Sequence, residues 1–458
     1  MPSSFNNKRK RFASTKGWVQ GLMKMESNHQ ELLAKYESKV MNAAMNGNEM
    51  EEGEPINLFI IDGGGMRGYA TLPIISAIQE SFLPPGRDFI DQFDLIGGTS
   101  VGGICSLLFS HHKGEGETTS DMLLMGRDVI DDLREKVFGN ISLANLCFCR
   151  HTLIDKDNEI ISVLKDAYNV PLKSRSLPAM AVIASVKKND EGDYFDDNDT
   201  PSSGQDDDNL KTIQNREFEP FIARTFEYPE QNQDKEPLAK SSSNMMLYEG
   251  CAATSAVPVL VDRVRIEVDD QHRIFADGMM FQNCPMSLCI DEAQRLYPNR
   301  PIGVIVSLGF TNDEDELIQK TIESTRLRHP NLHFQRIVPS HITEDFSAAE
   351  TGLKAIAKME ARVLDWMIND ADMKDETRVT MEKLCSTAPR GYGQKPTLRS
   401  SVRFDSLTIN KIFMRRSVIR DKAIQNQQRL RKSSALSSSG KRSFGLSFLR
   451  EVDEEFDC

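Results

Sequence analysis

The chain has 458 residues, of which 39% are hydrophobic and 27% charged, and its formal net charge is −12. That is the composition of a soluble globular protein with enough chain for one large core or two smaller ones. It excludes a helical membrane protein, because no apolar run approaches the roughly 20 residues needed to cross a bilayer. A zinc site is not signalled either, since the eight cysteines form no CxxC pair and no metal-ligand spacing.

Residues 1–17 read as a basic flexible arm carrying Lys8, Arg9, Lys10 and Arg11. No apolar stretch follows the charged start, so no secretory signal is read there. The Met-Pro start does not fit myristoylation, and Cys458 as last residue does not fit prenylation. A cytoplasmic protein is the expectation. Trp18–Met45 spaces its apolar residues as a helix does, and MNGNEMEEGEP reads as a linker, so 18–52 forms an N-terminal helix and linker.

From residue 53 the pattern changes. The strand-like INLFII precedes the helical TLPIISAIQESF, then the strand-bearing FIDQFDLIGG and the helical SVGGICSLLFSHH. Such alternation predicts α/β layers around a mainly parallel sheet. MAVIASVKK and PFIARTFEYP are further strands, flanking an acidic loop insertion at 189–212. RIFA, PIGVIVSLGF and NLHFQRIVP continue the strands, and Ser347–Met367 reads as a helix. The main domain is therefore placed at 53–370. Residues 371–458 form a Ser-rich extension whose stretch Lys411–Arg450 is basic, with Asp421 as its one acid.

Two stretches carry chemistry. Gly98-Thr99-Ser100-Val101-Gly102 is a G-x-S-x-G between a strand and a helix, the setting in which a serine hydroxyl stands exposed at a tight turn. A serine nucleophile needs a base and donors for the oxyanion it generates. DGGGMRG (Asp62–Gly68) follows a strand and offers the N–H groups of Gly63, Gly64 and Gly65, the charge of Arg67, and Gly68 at the start of the next helix. A transient oxyanion is the anion this loop is expected to hold. The same text also satisfies the dinucleotide fingerprint G-x-G-x-x-G, but Asp88, Asp91 and Asp94 precede or begin the next strand where a ribose-binding acid should end it. For the base, Asp277-Gly278 follows the short strand RIFA, which projects the carboxylate from a strand end. A surface turn is the bland reading of an Asp-Gly pair.

DGGGMRG, GTSVG and Asp277-Gly278, in this order, resemble the three motifs of the patatin-like phospholipase family; CAATSAVPVLV (Cys251–Val261), VSLGF and FQRIVP add to the likeness over roughly Ile56–Ile368. The resemblance implies a three-layer fold akin to cytosolic phospholipase A2, with a mainly parallel central sheet and helices on both faces. It implies Ser100 as nucleophile, Asp277 as base, and Gly63, Gly64, Gly65 and Arg67 as the oxyanion hole, supported by Gly68, Gly98, Gly102 and Gly278. Met279 departs from the family, which has glycine or alanine there. The implied activity is calcium-independent hydrolysis of fatty-acyl esters in glycerophospholipids, with no cofactor and no metal.

A Ser, Asp, His order is also formally available through His329, His333 and His341, but their settings read as structural, which favours a dyad. The expected partner is a phospholipid or other glycerolipid at a membrane surface, with anionic lipid held by Lys8–Arg11 and by the 411–450 segment, and no nucleic acid. The alternatives are a lipid-binding scaffold of the same fold, an acyltransferase or a triacylglycerol lipase, and a nucleotide-binding oxidoreductase.

Overall fold

In a computed structural model, the residues described are 30–41, 53–138, 157–173, 177–186, 218–230, 237–257 and 264–387, apart from 313 and 349. All of them fall in the compact unit Met1–Arg399. The basic arm, the acidic insertion and the Lys411–Arg450 segment lie outside the described residues.

A nine-stranded sheet organises the unit. Its strands are β1 (Ile56–Ile61), β2 (Leu95–Thr99), β3 (Ala179–Val186), β4 (Phe218–Arg224), β5 (Lys240–Ser242), β6 (Val264–Val268), β7 (Gln271–Asp277), β8 (Ile302–Leu308) and β9 (His333–Ile337). Their order is β5-β4-β3-β2-β1-β8-β9, parallel throughout from β3 to β9. β1 is buried along its whole length. A strand covered on both faces must be apolar at every position, which is why INLFII runs on without alternating.

Helices cover both faces. Towards one face β1 sends Phe59 and Ile61, which pack with α2 (Thr71–Ala77), α3 (Val101–Gly114), α4 (Thr119–Leu133), α5 (Asp157–Tyr168) and α6 (Leu247–Thr254). Towards the other it sends Ile56, Leu58 and Ile60, which pack with α1 (residues 30–41), α7 (Met286–Leu296) and α8 (Asp315–Arg326). The period-two split of one strand's side chains thus makes three layers. Helices α9 (Leu353–Asn369) and α10 (Ala371–Thr387) complete the first face.

Three boundaries differ from those read in the sequence. The helix expected from Ser347 begins at Leu353 after Gly352, because the preceding residues serve the glycine loop, Ala348 accepting the Met66 N–H at 2.8 Å. The single helix expected to start at Gly68 and run through TLPIISAIQESF is a 3-10 turn, Gly65–Ala70, then α2, then a π-helical end, Ile78–Phe82. The compact unit also continues past residue 370. Helix α10 buries Thr377, Thr380, Met381 and Leu384, and two of its threonines are tied to β9, Thr377 to Gln335 at 3.1 Å and Thr380 to His333 at 2.8 Å. A stripe so rich in threonine carries little hydrophobic signal.

Candidate active site

The sheet register brings the two halves of the site together. β2 runs parallel to β3 and its last pair is Thr99 with Val182. β7 runs antiparallel to β3 on the same edge, and its last pair is Asp277 with Ile183, the next residue along. The C-terminal ends of β2 and β7 therefore meet head-on along β3, and Ser100, one residue beyond Thr99, arrives beside Asp277.

Ser100 sits at the entry to α3 with φ 55° and ψ −125°. A non-glycine residue at positive φ is strained and persists only where its surroundings hold it. Here the Ser100 N–H donates to Thr254 Oγ1 at 3.0 Å, and the Thr254 hydroxyl donates to the Val182 carbonyl at 2.7 Å. The turn is thereby pinned to α6 and β3. Gly102 must be glycine because a Cβ would stand in the Ile61 carbonyl. The start of α3 also directs its positive dipole end at the turn.

Asp277 is fully buried. Its Oδ1 accepts the Met279 N–H at 2.8 Å, while Oδ2 has no partner among the described residues. Burial pushes the carboxyl up to about 7; the Met279 N–H and the neighbouring Ser100 hydroxyl pull the other way. The Ser100 hydroxyl is therefore close enough to act on the Asp277 carboxyl, whose Oδ2 stays unpartnered. A carboxyl lifted toward neutrality, with one oxygen unpartnered and a serine hydroxyl beside it, suits general-base work. The departure at Met279 is accommodated because that residue serves Asp277 through its main chain, which any residue but proline supplies. Gly278 has no such freedom, as a Cβ there would meet the Val182 carbonyl.

The glycine loop lies against the serine. Gly63 is so close that a Cβ on it would be 3.3 Å from Ser100 Cβ. Its N–H, however, already donates to the Asn283 carbonyl at 3.1 Å, and Met66 and Arg67 donate to Ala348 and Gly64. Gly64 and Gly65 are left with no acceptor among the described residues, Gly65 at φ 55°, where glycine is at home. Arg67 donates through Nε to the Phe346 carbonyl at 2.8 Å, so its guanidinium ties the loop to the segment before α9. Gly68 abuts Val101, with 2.6 Å between a Cβ and Cγ2.

Several supports were not evident in the sequence. Asp62, the first residue of the glycine motif, is buried and paired with Arg336 at 2.7 Å, and Arg336 also reaches Asp315 at 3.0 Å and Ser307 at 2.9 Å. Burial pushes the Asp62 carboxyl up and Arg336 opposes it, while the guanidinium stays protonated against its own burial because Asp62 faces it. Glu314 accepts the N–H groups of Asn283 and Cys284 at 3.0 and 2.6 Å. Asp62 and Arg336 fall within the quoted stretches DGGGMRG and FQRIVP, but only long-range pairing shows that they bond each other and that Glu314 supports the run beside the site.

The competing candidates are occupied elsewhere. His329 is buried, accepts the Ile302 N–H on Nδ1 at 3.1 Å, and is driven down to about 4 by burial and by Arg328. His333 bonds Thr380, and the His341 ring packs on Trp366. No histidine among the described residues hydrogen-bonds Ser100 or Asp277. Asp88 accepts from Thr119, Asp91 pairs with Lys113, and Asp94 accepts the Asn57 N–H at 2.9 Å and pairs with Arg300 at 3.1 Å. All three acids of the nucleotide reading thus hold structure. Among the described residues no cluster of His, Cys, Asp and Glu is arranged for a metal ion, and no helix is long and apolar enough to cross a membrane.

A strained serine turn, a glycine loop beside it and an aspartate brought next to it along one edge of β3 define a patatin-type α/β site, and the chain belongs to the patatin-like phospholipase family, whose model matches residues 59–290. Among curated relatives, Phospholipase A I of Arabidopsis thaliana is 22% identical over 313 residues, covering 60% of this chain and 22% of that protein. Calcium-independent phospholipase A2-gamma of Mus musculus is 23% identical over 283 residues, 60% of this chain and 31% of that protein. The chain thus spans less than a third of the length of either relative. Among solved structures, human GIVD cytosolic phospholipase A2 aligns with a TM-score of 0.32 at 9% identity, over 79% of this chain and 64% of that one.

Proposed function

We propose that this chain is a lipid acyl hydrolase of phospholipase A type, cleaving fatty-acyl esters of glycerophospholipids at a membrane surface through Ser100 and Asp277. Ser100 Oγ attacks the ester carbonyl as Asp277 Oδ2 takes its proton. The oxyanion of the tetrahedral intermediate takes hydrogen bonds from the Gly64 and Gly65 N–H groups. Collapse breaks the bond to the glycerol oxygen, which leaves with the proton from Asp277, and an acyl-serine remains. Water, deprotonated by Asp277, then releases the fatty acid and restores Ser100.

The observation that carries this reading is the head-on meeting of β2 and β7, which sets a strained serine beside a buried carboxylate with an open oxygen. The reaction is read as calcium-independent; that reading is supported by a base and oxyanion donors drawn from the chain itself, and calcium independence is also part of the printed name of the mouse relative. Attachment to anionic lipid is assigned to Lys8–Arg11 and the 411–450 segment, on charge alone. Acid quenching during turnover of phosphatidylcholine vesicles, followed by peptide mass spectrometry, tests the mechanism. The peptide bearing Ser100 is expected to carry an acyl group, and acylation of any other residue would refute the assignment.

A further inference from the structure

We infer that the side-chain amide of Asn283 is a substrate-contacting donor of this site, hydrogen-bonding the carbonyl oxygen of the scissile ester as it becomes an oxyanion; the inference rests on the acyl-transfer reading above. Asn283 lies in the run Phe281–Pro285, between the turn that follows Asp277 and α7. The main chain of this run is fixed without help from the Asn283 side chain. Glu314 takes the N–H groups of Asn283 and Cys284, the Asn283 carbonyl takes the Gly63 N–H, and the Gln282 carbonyl takes the Thr99 hydroxyl at 3.1 Å. One short run is thereby bonded to the serine strand, to the glycine loop and, through the chain, to the base.

The amide itself is half-buried and makes no hydrogen bond to any described residue. It stands at the nucleophile. The point where a Cβ on Gly63 would lie is 2.5 Å from Asn283 Oδ1 and 3.3 Å from Ser100 Cβ, so the two side chains border one small space that the glycine keeps open. An unpaired amide beside a nucleophile, on a main chain that does not need it, is available to a ligand. Half a turn about χ2 exchanges Oδ1 for Nδ2 and presents a donor to that space. The glycine loop has a deficit there, because Gly63 has given its N–H to the Asn283 carbonyl. Asn283 thus spends its main chain on the loop and returns a donor through its side chain.

The test uses the full chain, comparing wild type with Asn283→Ala and with Asn283→Leu, which keeps the branched shape in a larger side chain and removes the donor. Two rates are read: phosphonylation of Ser100 by a fluorophosphonate probe, and kcat and KM for fatty-acid release from phosphatidylcholine vesicles. Loss of one oxyanion donor lowers kcat by about 10²–10³-fold. Both variants are expected to fall that far in kcat and in labelling rate, with KM, melting temperature and the midpoint of the pH–rate profile unchanged, because an amide does not titrate. Labelling within about threefold of wild type in the folded Leu variant would overturn the inference, as would a loss matched by a fall in melting temperature and recovered on cooling. A wild type labelled at Ser100 that releases no fatty acid would overturn the phospholipid reading alone, and the labelling rates would still decide the role of Asn283. Failure of wild type to label would remove both.

Discussion

Replacing Asp277 by asparagine is expected to stabilise the protein at alkaline pH while abolishing its chemistry. The carboxyl is fully buried, one oxygen lacks a partner, no charged side chain acts on it, and burial lifts it to about 7. An ordinary aspartate titrates near about 3.9. Between those values the folded state holds a proton that the unfolded state has released, so stability is greatest below the lower value and falls as pH rises through the upper one. At about 1.4 kcal/mol per pH unit the whole loss is about 4 kcal/mol, of which about 3 kcal/mol falls between pH 5 and pH 8. Asparagine keeps the bond to the Met279 N–H and has no charge to desolvate. Glu292, which is buried, and Glu314 and Glu360, which are partly buried, are also lifted to about 7, and they cancel because both proteins contain them. Urea denaturation of wild type and Asp277→Asn at the two pH values measures the difference directly. Asp277→Asn should gain about 3 kcal/mol on wild type from pH 5 to pH 8, and log kcat/KM of wild type should rise with pH up to about 7. A stability difference that does not change with pH, or a wild-type rate already level at pH 5, would refute the view of Asp277 as a desolvated base.

Substituting His329 with leucine leaves the Ile302 N–H without its acceptor and should cost about 1–3 kcal/mol by chemical denaturation, with kcat unchanged; a thousandfold loss of kcat would restore a histidine to the mechanism. Arg336→Met strands Asp62 as a buried unpaired carboxyl and should cost about 3–5 kcal/mol, read as a lower urea midpoint; a shift of less than about 1 kcal/mol would show that the pair does not hold β9 to the glycine loop. Gly102→Ala drives a methyl group into the Ile61 carbonyl and should cost about 1–3 kcal/mol, with loss of fluorophosphonate labelling at Ser100, whereas a normally labelled variant would mean that the serine turn tolerates displacement.

The motifs are legible in the sequence because main chain approaches main chain at each of them. Gly102 faces the Ile61 carbonyl and Gly278 the Val182 carbonyl, and only glycine fits. The central strands are legible because burial on both faces makes them continuous apolar runs. What joins the motifs is not local. Nothing in RIFAD states that β7 abuts β2 along β3, since that depends on the register of Ile183 with Asp277. Asn283 stands in plain view in FQNCP, yet asparagine is common in loops, and only the packing of Gly63 against it shows which space it borders. Helix α10 escapes a hydrophobic pattern because threonines make up half of its buried positions.

Fatty-acid release from mixed phospholipid vesicles in the presence of EGTA, compared for wild type, Ser100→Ala and Asp277→Asn, tests the central claim most directly. Release by wild type that both substitutions abolish is the result this structure leads us to expect. Release that survives either substitution would contradict a serine–aspartate dyad built at the meeting of two strand ends, and release that needs added calcium would contradict the calcium-independent reading.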